Sequence, residues 1–294
     1  MRSPWLPGGN DALRGARLQL AEGGGAVGRR SRAFHCISIP SPRSVPEPGT
    51  YPGDPAGPPV DISVISPFFN EEASLPELHR RLRSVLDGLQ AESGLRSEIV
   101  AINDGSEDGS LAAVERLARE DSSLRVIDLG SNRGQHEAIL VGFAGTTSRF
   151  VVTIDSDLQN PPEEIPRIVR GLEEGFDLIA TRRVRREDSL GRRFASRLAN
   201  ASCALLARAY GVAQLHDLGC MLRGYRRGVV DEILALARRP GAPPPFIPAL
   251  ALRSARRTKE IDVDHARRAH GKSSYGLKDL IDLQVRLVAT LRQK

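Results

Sequence analysis

Cysteine is nearly missing from this 294-residue chain. The three present, Cys36, Cys203 and Cys220, are odd in number, far apart and without C-x-x-C spacing. That excludes a disulfide scaffold and a cysteine-based zinc site, and it suits a reducing cytosol. Long apolar runs are missing as well. The longest, from Ala138 to Gly145, is eight residues, whereas a bilayer span needs about 20, so no transmembrane helix is expected. No apolar stretch near Met1 resembles a secretory signal. Aromatic residues are 4%, too few for a stacking platform on single-stranded nucleic acid, and no nucleic-acid partner is expected. Lysine is scarce: four of the 42 basic residues, which leaves 38 arginines and a net charge of +6. Arginine suits bidentate phosphate binding better than lysine does, although codon bias in a GC-rich genome accounts for the same excess. Hydrophobic residues at 40% and charged residues at 27% match a soluble globular protein of one or two domains.

Residues 1–60 stand apart. They hold 10 of the 20 prolines and 10 of the 28 glycines, with no hydrophobic periodicity, and cannot bury enough apolar surface to offset ordering entropy. They read as a disordered Pro/Gly/Arg-rich extension, as an organellar presequence, or as an over-extended gene model. From Val60 onward a pattern appears. Short apolar runs at 62–66, 98–103, 124–129, 150–154 and 176–180 read as strands. Stretches at 75–89, 111–118, 134–144 and 165–172 carry helical spacing. Strands alternating with helices mean an α/β fold with a Rossmann-like, mainly parallel sheet, and such sheets bind ligands at the carboxyl ends of their strands. The 234 residues of 61–294 suffice for one large domain.

Three polar clusters fall at those strand ends. Pro67-Phe-Phe-Asn-Glu-Glu72 follows the first strand and Asn103-Asp-Gly-Ser106 the second; Asp155-Ser-Asp157 closes the fourth. Two carboxylates at i and i+2 repel unless a cation lies between them, and hard oxygen ligands select Mg²⁺ or Mn²⁺. A structural reading stays open for each cluster taken alone: turn chemistry for the first two, and for the third an Asp turn ahead of the helix start Asn160-Pro161-Pro162.

Together, the clusters resemble the family-2 inverting glycosyltransferases of the GT-A fold. Asn132-Arg-Gly-Gln-His-Glu-Ala138, Asp157-Leu-Gln-Asn-Pro-Pro-Glu-Glu-Ile-Pro166, Gly219-Cys-Met-Leu-Arg-Gly-Tyr-Arg-Arg227 and Phe246-Ile-Pro248 extend the likeness to the polyprenyl-phosphate branch. Within it they are most similar to the undecaprenyl-phosphate 4-deoxy-4-formamido-L-arabinose transferases and more distantly to the dolichyl-phosphate mannosyltransferases. The resemblance covers about 61–290. It implies a metal-dependent, inverting transfer of a sugar from a nucleotide-diphosphate donor to polyprenyl phosphate, in lipopolysaccharide or cell-envelope chemistry. It implies that Pro67, Phe68, Asn70, Glu71 and Asp104 hold the nucleotide, and that Asp155, Asp157 and Gln159 hold the metal on the diphosphate. It also implies that Arg182 sits on the acceptor or diphosphate side, that Asp217 lies near the acceptor pocket, and that Arg268 belongs to an Arg-x-x-Gly-x-Ser-Lys loop with Gly271 and Ser273. Two positions depart from the pattern: Phe69 replaces a usual Tyr, and Ser274 replaces the loop's Lys, for which Lys272 is the substitute. His136 reads either as a base or as a residue that orients a helix start.

Leu190, Phe194, Leu198, Ala201 and Leu205 form a helical stripe flanked by arginines, and Leu280, Leu283, Leu287 and Leu291 form another. Each reads as an amphipathic helix on an anionic membrane or as an ordinary core-facing helix. Relatives of this branch continue into transmembrane helices near this point. The expectation is therefore a cytoplasmic protein peripheral to the inner face of the plasma membrane, with a membrane-protein partner or a homo-oligomeric state. Two alternatives are a soluble glycan or protein acceptor, and a truncated, inactive relative.

Overall fold

The computed structural model describes residues 59–184 and 215–266, with Ile37, Ser38 and Thr290. The chain divides into Met1–Ala33, outside the described residues, and Phe34–Lys294, which holds every element below. In chain order these are β1 (Ile37–Ser38), β2 (Ile62–Phe68), α1 (Leu75–Ser93), β3 (Ser97–Asn103), α2 (Ser110–Glu120), β4 (Leu124–Asp128), α3 (Gln135–Ala144), β5 (Phe150–Thr153), α4 (Ile165–Glu173), β6 (Leu178–Arg183), β7 (Arg223–Arg226), α5 (Arg227–Ala237), α6 (Ile247–Ser254) and β8 (Thr258–Val263). Both leucine stripes lie outside the described residues. In the 1–60 segment, Ile37 and Ser38 run parallel to β4.

One sheet carries all eight strands in the order β1-β4-β3-β2-β5-β7-β6-β8. Every pairing is parallel except those of β7, which runs antiparallel to both β5 and β6. Strands β2, β3 and β5 are buried almost throughout and mostly apolar because both faces are covered. Val151 and Leu178 pack on one face with α3, α5 and α6, while their neighbours Val152 and Ile179 pack on the other with α1 and α4. From β2 the chain builds outward through β3 and β4, then returns to add β5 on the opposite side. The switch point therefore lies between β2 and β5, where open sheets leave a crevice beyond the strand ends.

Three shifts of boundary stand out. Pro67 was expected to stop the first strand, yet β2 runs through it to Phe68. Ile65 carbonyl accepts from Ile154 on the β5 side and Phe68 carbonyl from Asp104 on the β3 side. Alternation turns Pro67 toward β5, whose pairing with β2 ends at Ile65, so its missing N–H breaks no ladder bond. The fifth expected strand is shifted to Leu178–Arg183, which brings Arg182 and Arg183 into the sheet. Helix α1 continues to Ser93 and ends at Gly94, whose φ of 73° closes it.

Candidate active site

The loops after β2 and β3 are stitched together. Asn70 adopts φ 54°, a left-handed conformation that Asn tolerates. Its Oδ1 accepts the Glu107 N–H at 2.8 Å, and its own N–H donates to Ser106 Oγ at 3.0 Å. Glu71 N–H donates to Ser110 Oγ at 2.8 Å, and Glu71 Oε2 accepts the Ser74 hydroxyl at 3.0 Å. Pro67 and Phe68 are buried beneath this rim while Phe69 is 41% exposed, so the replacement of the usual Tyr occurs on an accessible ring.

Asp104 is buried. Its Oδ1 accepts the Arg133 N–H at 2.7 Å and its Oδ2 the Gly134 N–H at 3.0 Å. Burial pushes its carboxyl pKa up, against the pull of those two donors. The loop it holds crosses Gly105, where a Cβ would lie 2.4 Å from the Asn132 nitrogen; with φ 73°, only glycine fits. That loop opens α3, whose His136 ring meets Phe246 edge-on at 5.3 Å, joining two of the motif stretches.

Asp155 and Asp157 are half-buried just past β5. Asp155 Oδ1 accepts the side-chain amide of Gln135 at the start of α3, and its Oδ2 accepts Asn160 Nδ2 at 3.0 Å. Asp157 Oδ1 accepts the Gln159 N–H at 3.1 Å. The turn is tight enough to hold Leu158 at φ 63°, a conformation that costs a branched side chain roughly 1–2 kcal/mol. Asn160-Pro161-Pro162 then leads into a 3₁₀ turn, Pro162–Glu164, and α4, so the helix-start reading and the ligand reading share this segment. Gln159 is paired with the segment after β8: its Nε2 donates to Ala266 carbonyl at 3.3 Å, and the Ala266 N–H donates to Gln159 carbonyl at 3.0 Å. Between them lies a cavity of about 280 Å³ walled by Arg81, Leu158, Pro161, Asp264 and His265. Ala266 leads directly to Arg268 and Lys272, which lie outside the described residues.

The arginines separate. Arg182 makes a bidentate pair with Asp262 on the neighbouring β8, at 2.7 and 2.8 Å, and both side chains are largely in solvent. Its neighbour Arg183 makes a bidentate pair with Asp217, at 2.6 and 2.8 Å, with Asp217 5% exposed. Burial opposes the Arg183 charge, yet Asp217, Cys220 and Asp155 together hold its pKa well above the ordinary value. Arg183 is thus the cation brought toward Asp155, a residue that sequence reasoning passed over because a run of arginines gives no sign of which one a strand turns inward. A second such residue is Arg223, fully buried, whose Nε donates to Cys220 carbonyl at 2.7 Å and whose Nη2 donates to Leu218 carbonyl at 2.9 Å and Asp217 carbonyl at 3.3 Å. It gathers the turn that carries Asp217.

The donor set fits a hard divalent ion: Asp155, Asp157 and Gln159 offer oxygen atoms from one half-buried turn. Among the described residues no three His, Cys, Asp or Glu side chains cluster to form a complete cage. Water and substrate phosphate would fill the remaining positions, as is usual for Mg²⁺.

Comparison with known proteins agrees with this arrangement. Residues 63–234 match the model of glycosyl transferase family 2. The chain is 46% identical over 235 residues to an undecaprenyl-phosphate 4-deoxy-4-formamido-L-arabinose transferase of Pseudomonas aeruginosa (strain LESB58), covering 79% of this chain and 66% of that one. It is 45% identical over 231 residues to the protein of the same name from Aeromonas hydrophila subsp. hydrophila, covering 78% and 67%. The chain therefore spans about two thirds of the length of these relatives, and 66% of the first. In fold it is similar to glucosyl-3-phosphoglycerate synthase from Mycobacterium tuberculosis, solved with Mn²⁺, UDP and phosphoglyceric acid (TM-score 0.56, 22% identity, 79% of this chain and 77% of that one). It is also similar to mannosyl-3-phosphoglycerate synthase from Rubrobacter xylanophilus (TM-score 0.52, 15% identity, 79% and 73%). With the three strand-end clusters meeting at the switch point of a GT-A-type sheet, and a family match over more than half its length, the chain belongs to glycosyl transferase family 2.

Proposed function

We propose that this chain transfers a sugar, with inversion, from a nucleotide-diphosphate donor to polyprenyl phosphate. What supports the reading is that the loop held by Asp104 opens the helix whose Gln135 reaches Asp155 in the Asp155–Gln159 turn, with the buried Arg183–Asp217 pair near enough to Asp155 to feel its charge. The names of the relatives supply the acceptor class.

In this reading the rim built from Pro67, Phe68, Asn70, Glu71 and Asp104 receives the nucleotide. A Mg²⁺ or Mn²⁺ ion held by Asp155, Asp157 and Gln159 would supply positive charge to the leaving diphosphate. An acceptor phosphate oxygen attacks the anomeric carbon from the opposite face, the bond from that carbon to the diphosphate oxygen breaks, and a nucleoside diphosphate departs. The acceptor is already an anion at neutral pH, so positioning and charge balance dominate and no strong base is needed. In this reading Arg183 lies on the acceptor side, where its pairing with Asp217 lets a guanidinium sit in a buried place without leaving a bare charge. Arg182, Arg268 and Lys272 are the remaining candidates for phosphate contact.

The test uses radiolabelled nucleotide sugars with undecaprenyl phosphate and Mn²⁺. Organic extraction should carry label into the lipid phase with the wild-type protein, and Asp157→Ala should reduce the rate at least about 100-fold, the scale of losing one charge-stabilising group. Label that stays in the aqueous phase as a new glycan would reject the lipid acceptor while keeping the donor site. No donor turnover at all would reject both.

A further inference from the structure

Asp155 is flanked by two side-chain amides, and the one from Asn160 is itself held from below. Asn160 is 1% exposed. A carboxylate only accepts hydrogen bonds, so the Asn160 amide nitrogen must face Asp155 Oδ2, at 3.0 Å. That orientation turns Asn160 Oδ1 toward the Cys220 sulfur, 3.4 Å away, which donates its S–H. The same sulfur lies 2.9 Å from Thr181 Oγ1, which is also 2.7 Å from the Leu222 carbonyl. The thiol has one proton and Asn160 Oδ1 can only accept, so the arrangement that meets all three contacts gives the thiol proton to Asn160 and shares the Thr181 hydroxyl proton between the Leu222 carbonyl and the sulfur. Thr181 belongs to β6, and Leu222 immediately precedes β7. A chain of hydrogen bonds thus runs from the sheet to the acidic turn: Leu222, Thr181, Cys220, Asn160, Asp155.

We propose that Asn160 is a positioning residue that sets the orientation of the Asp155 carboxylate toward a divalent cation, and that Cys220 holds the Asn160 amide in the productive sense by donating its thiol proton. The proposal rests on the metal reading of Asp155 given above. Cys220 acts here as a reduced, buried donor. Side chains that orient a metal-binding carboxylate typically change affinity by about 10–100-fold when removed.

The experiment measures Mn²⁺ uptake directly, by the loss of the free-ion electron paramagnetic resonance signal, with Mn²⁺ alone and then with UDP added. Metal-free thermal melting is recorded beside it. Asn160→Ala should weaken Mn²⁺ binding by about 10-fold or more. Cys220→Ser, which keeps a proton donor, should bind like wild type, and Cys220→Ala, which does not, should bind several-fold more weakly. Packing alone predicts the opposite pattern, with Ser and Ala indistinguishable or Ser the worse in an apolar surrounding. Should Asn160→Ala fail to fold, the Cys220 pair still decides. Wild-type Mn²⁺ affinity in both Asn160→Ala and Cys220→Ala would overturn the proposal and leave the metal reading standing. Absence of Mn²⁺ uptake by the wild-type protein, with and without UDP, would overturn both.

Discussion

Arg182 and Arg183 are adjacent and chemically identical, and each grips a carboxylate with two hydrogen bonds, yet they do different things. Arg182 and Asp262 remain largely in solvent, where an ion pair gains little over hydration. Arg183 and Asp217 are removed from it, and a buried carboxylate left without its cation costs about 3–5 kcal/mol. Arg183→Ala should therefore lower unfolding stability in urea by roughly that amount and abolish sugar transfer. Arg182→Ala should leave the urea midpoint where it is. Equal effects of the two substitutions would remove Arg183 from its place in the site. This distinction was not legible in the sequence, because the segment reads Thr-Arg-Arg-Val-Arg-Arg and only the register of β6 against β8 decides which guanidinium meets Asp262. Asp155, Asp157 and Asp104, by contrast, were legible, since each follows an apolar strand that ends abruptly in a turn residue.

At the scale of elements, the same contrast appears in what the hydrophobic pattern announced and what it hid. Strands β2, β3 and β5 and helices α1 to α4 announce themselves openly, because those strands are buried on both faces, α1, α2 and α4 each have one buried stripe, and α3 is a continuous buried apolar run. Strand β7 is Arg-Gly-Tyr-Arg. No polarity rule marks it as a central strand, because Arg is rarely buried without a partner; here Arg223 donates from Nε and Nη2 to three carbonyls of the turn just before it. The junction of α1, α2 and β4 shows a tie that spacing alone does not reveal. Asp121, at the end of α2, accepts from Ser123 at 2.6 Å and meets His79 of α1 at 2.8 Å. Burial raises its carboxyl pKa, but the Ser123 and His79 bonds and the nearby Arg83 outweigh that, and the net shift is downward. A carboxyl lowered in the folded state adds stability above its unfolded pKa, about 3.9, and loses it as pH falls through the folded value. Asp121→Asn should thus be less stable than wild type at neutral pH, by about 1–2 kcal/mol, and the gap should close as pH falls below about 4. Urea titrations at several pH values check this; a gap that stays constant with pH would mean the Asp121 charge is not what ties the helices.

For the molecule as a whole, the question is how a chain with no described helix long and apolar enough to cross a bilayer would meet a lipid acceptor. The net charge is +6, carried almost entirely by arginine. Near an anionic leaflet each basic side chain contributes about 1 kcal/mol, and that attraction decays within a Debye length of about 10 Å at 0.1 M salt and about 3 Å at 1 M. Electrostatic docking would hold the chain at the headgroup level without insertion, and its salt dependence distinguishes it from an apolar anchor, which salt does not weaken. The protein should sediment with vesicles rich in phosphatidylglycerol at low salt, and the bound fraction should fall severalfold between 0.05 and 0.5 M NaCl, a range of about a threefold change in Debye length. Neutral phosphatidylcholine vesicles should not retain it at either salt. Binding to neutral vesicles that survives high salt would mean that apolar contact, not arginine charge, brings the chain to its acceptor. Failure to bind anionic vesicles at low salt would instead point the transfer reaction toward an acceptor met in solution.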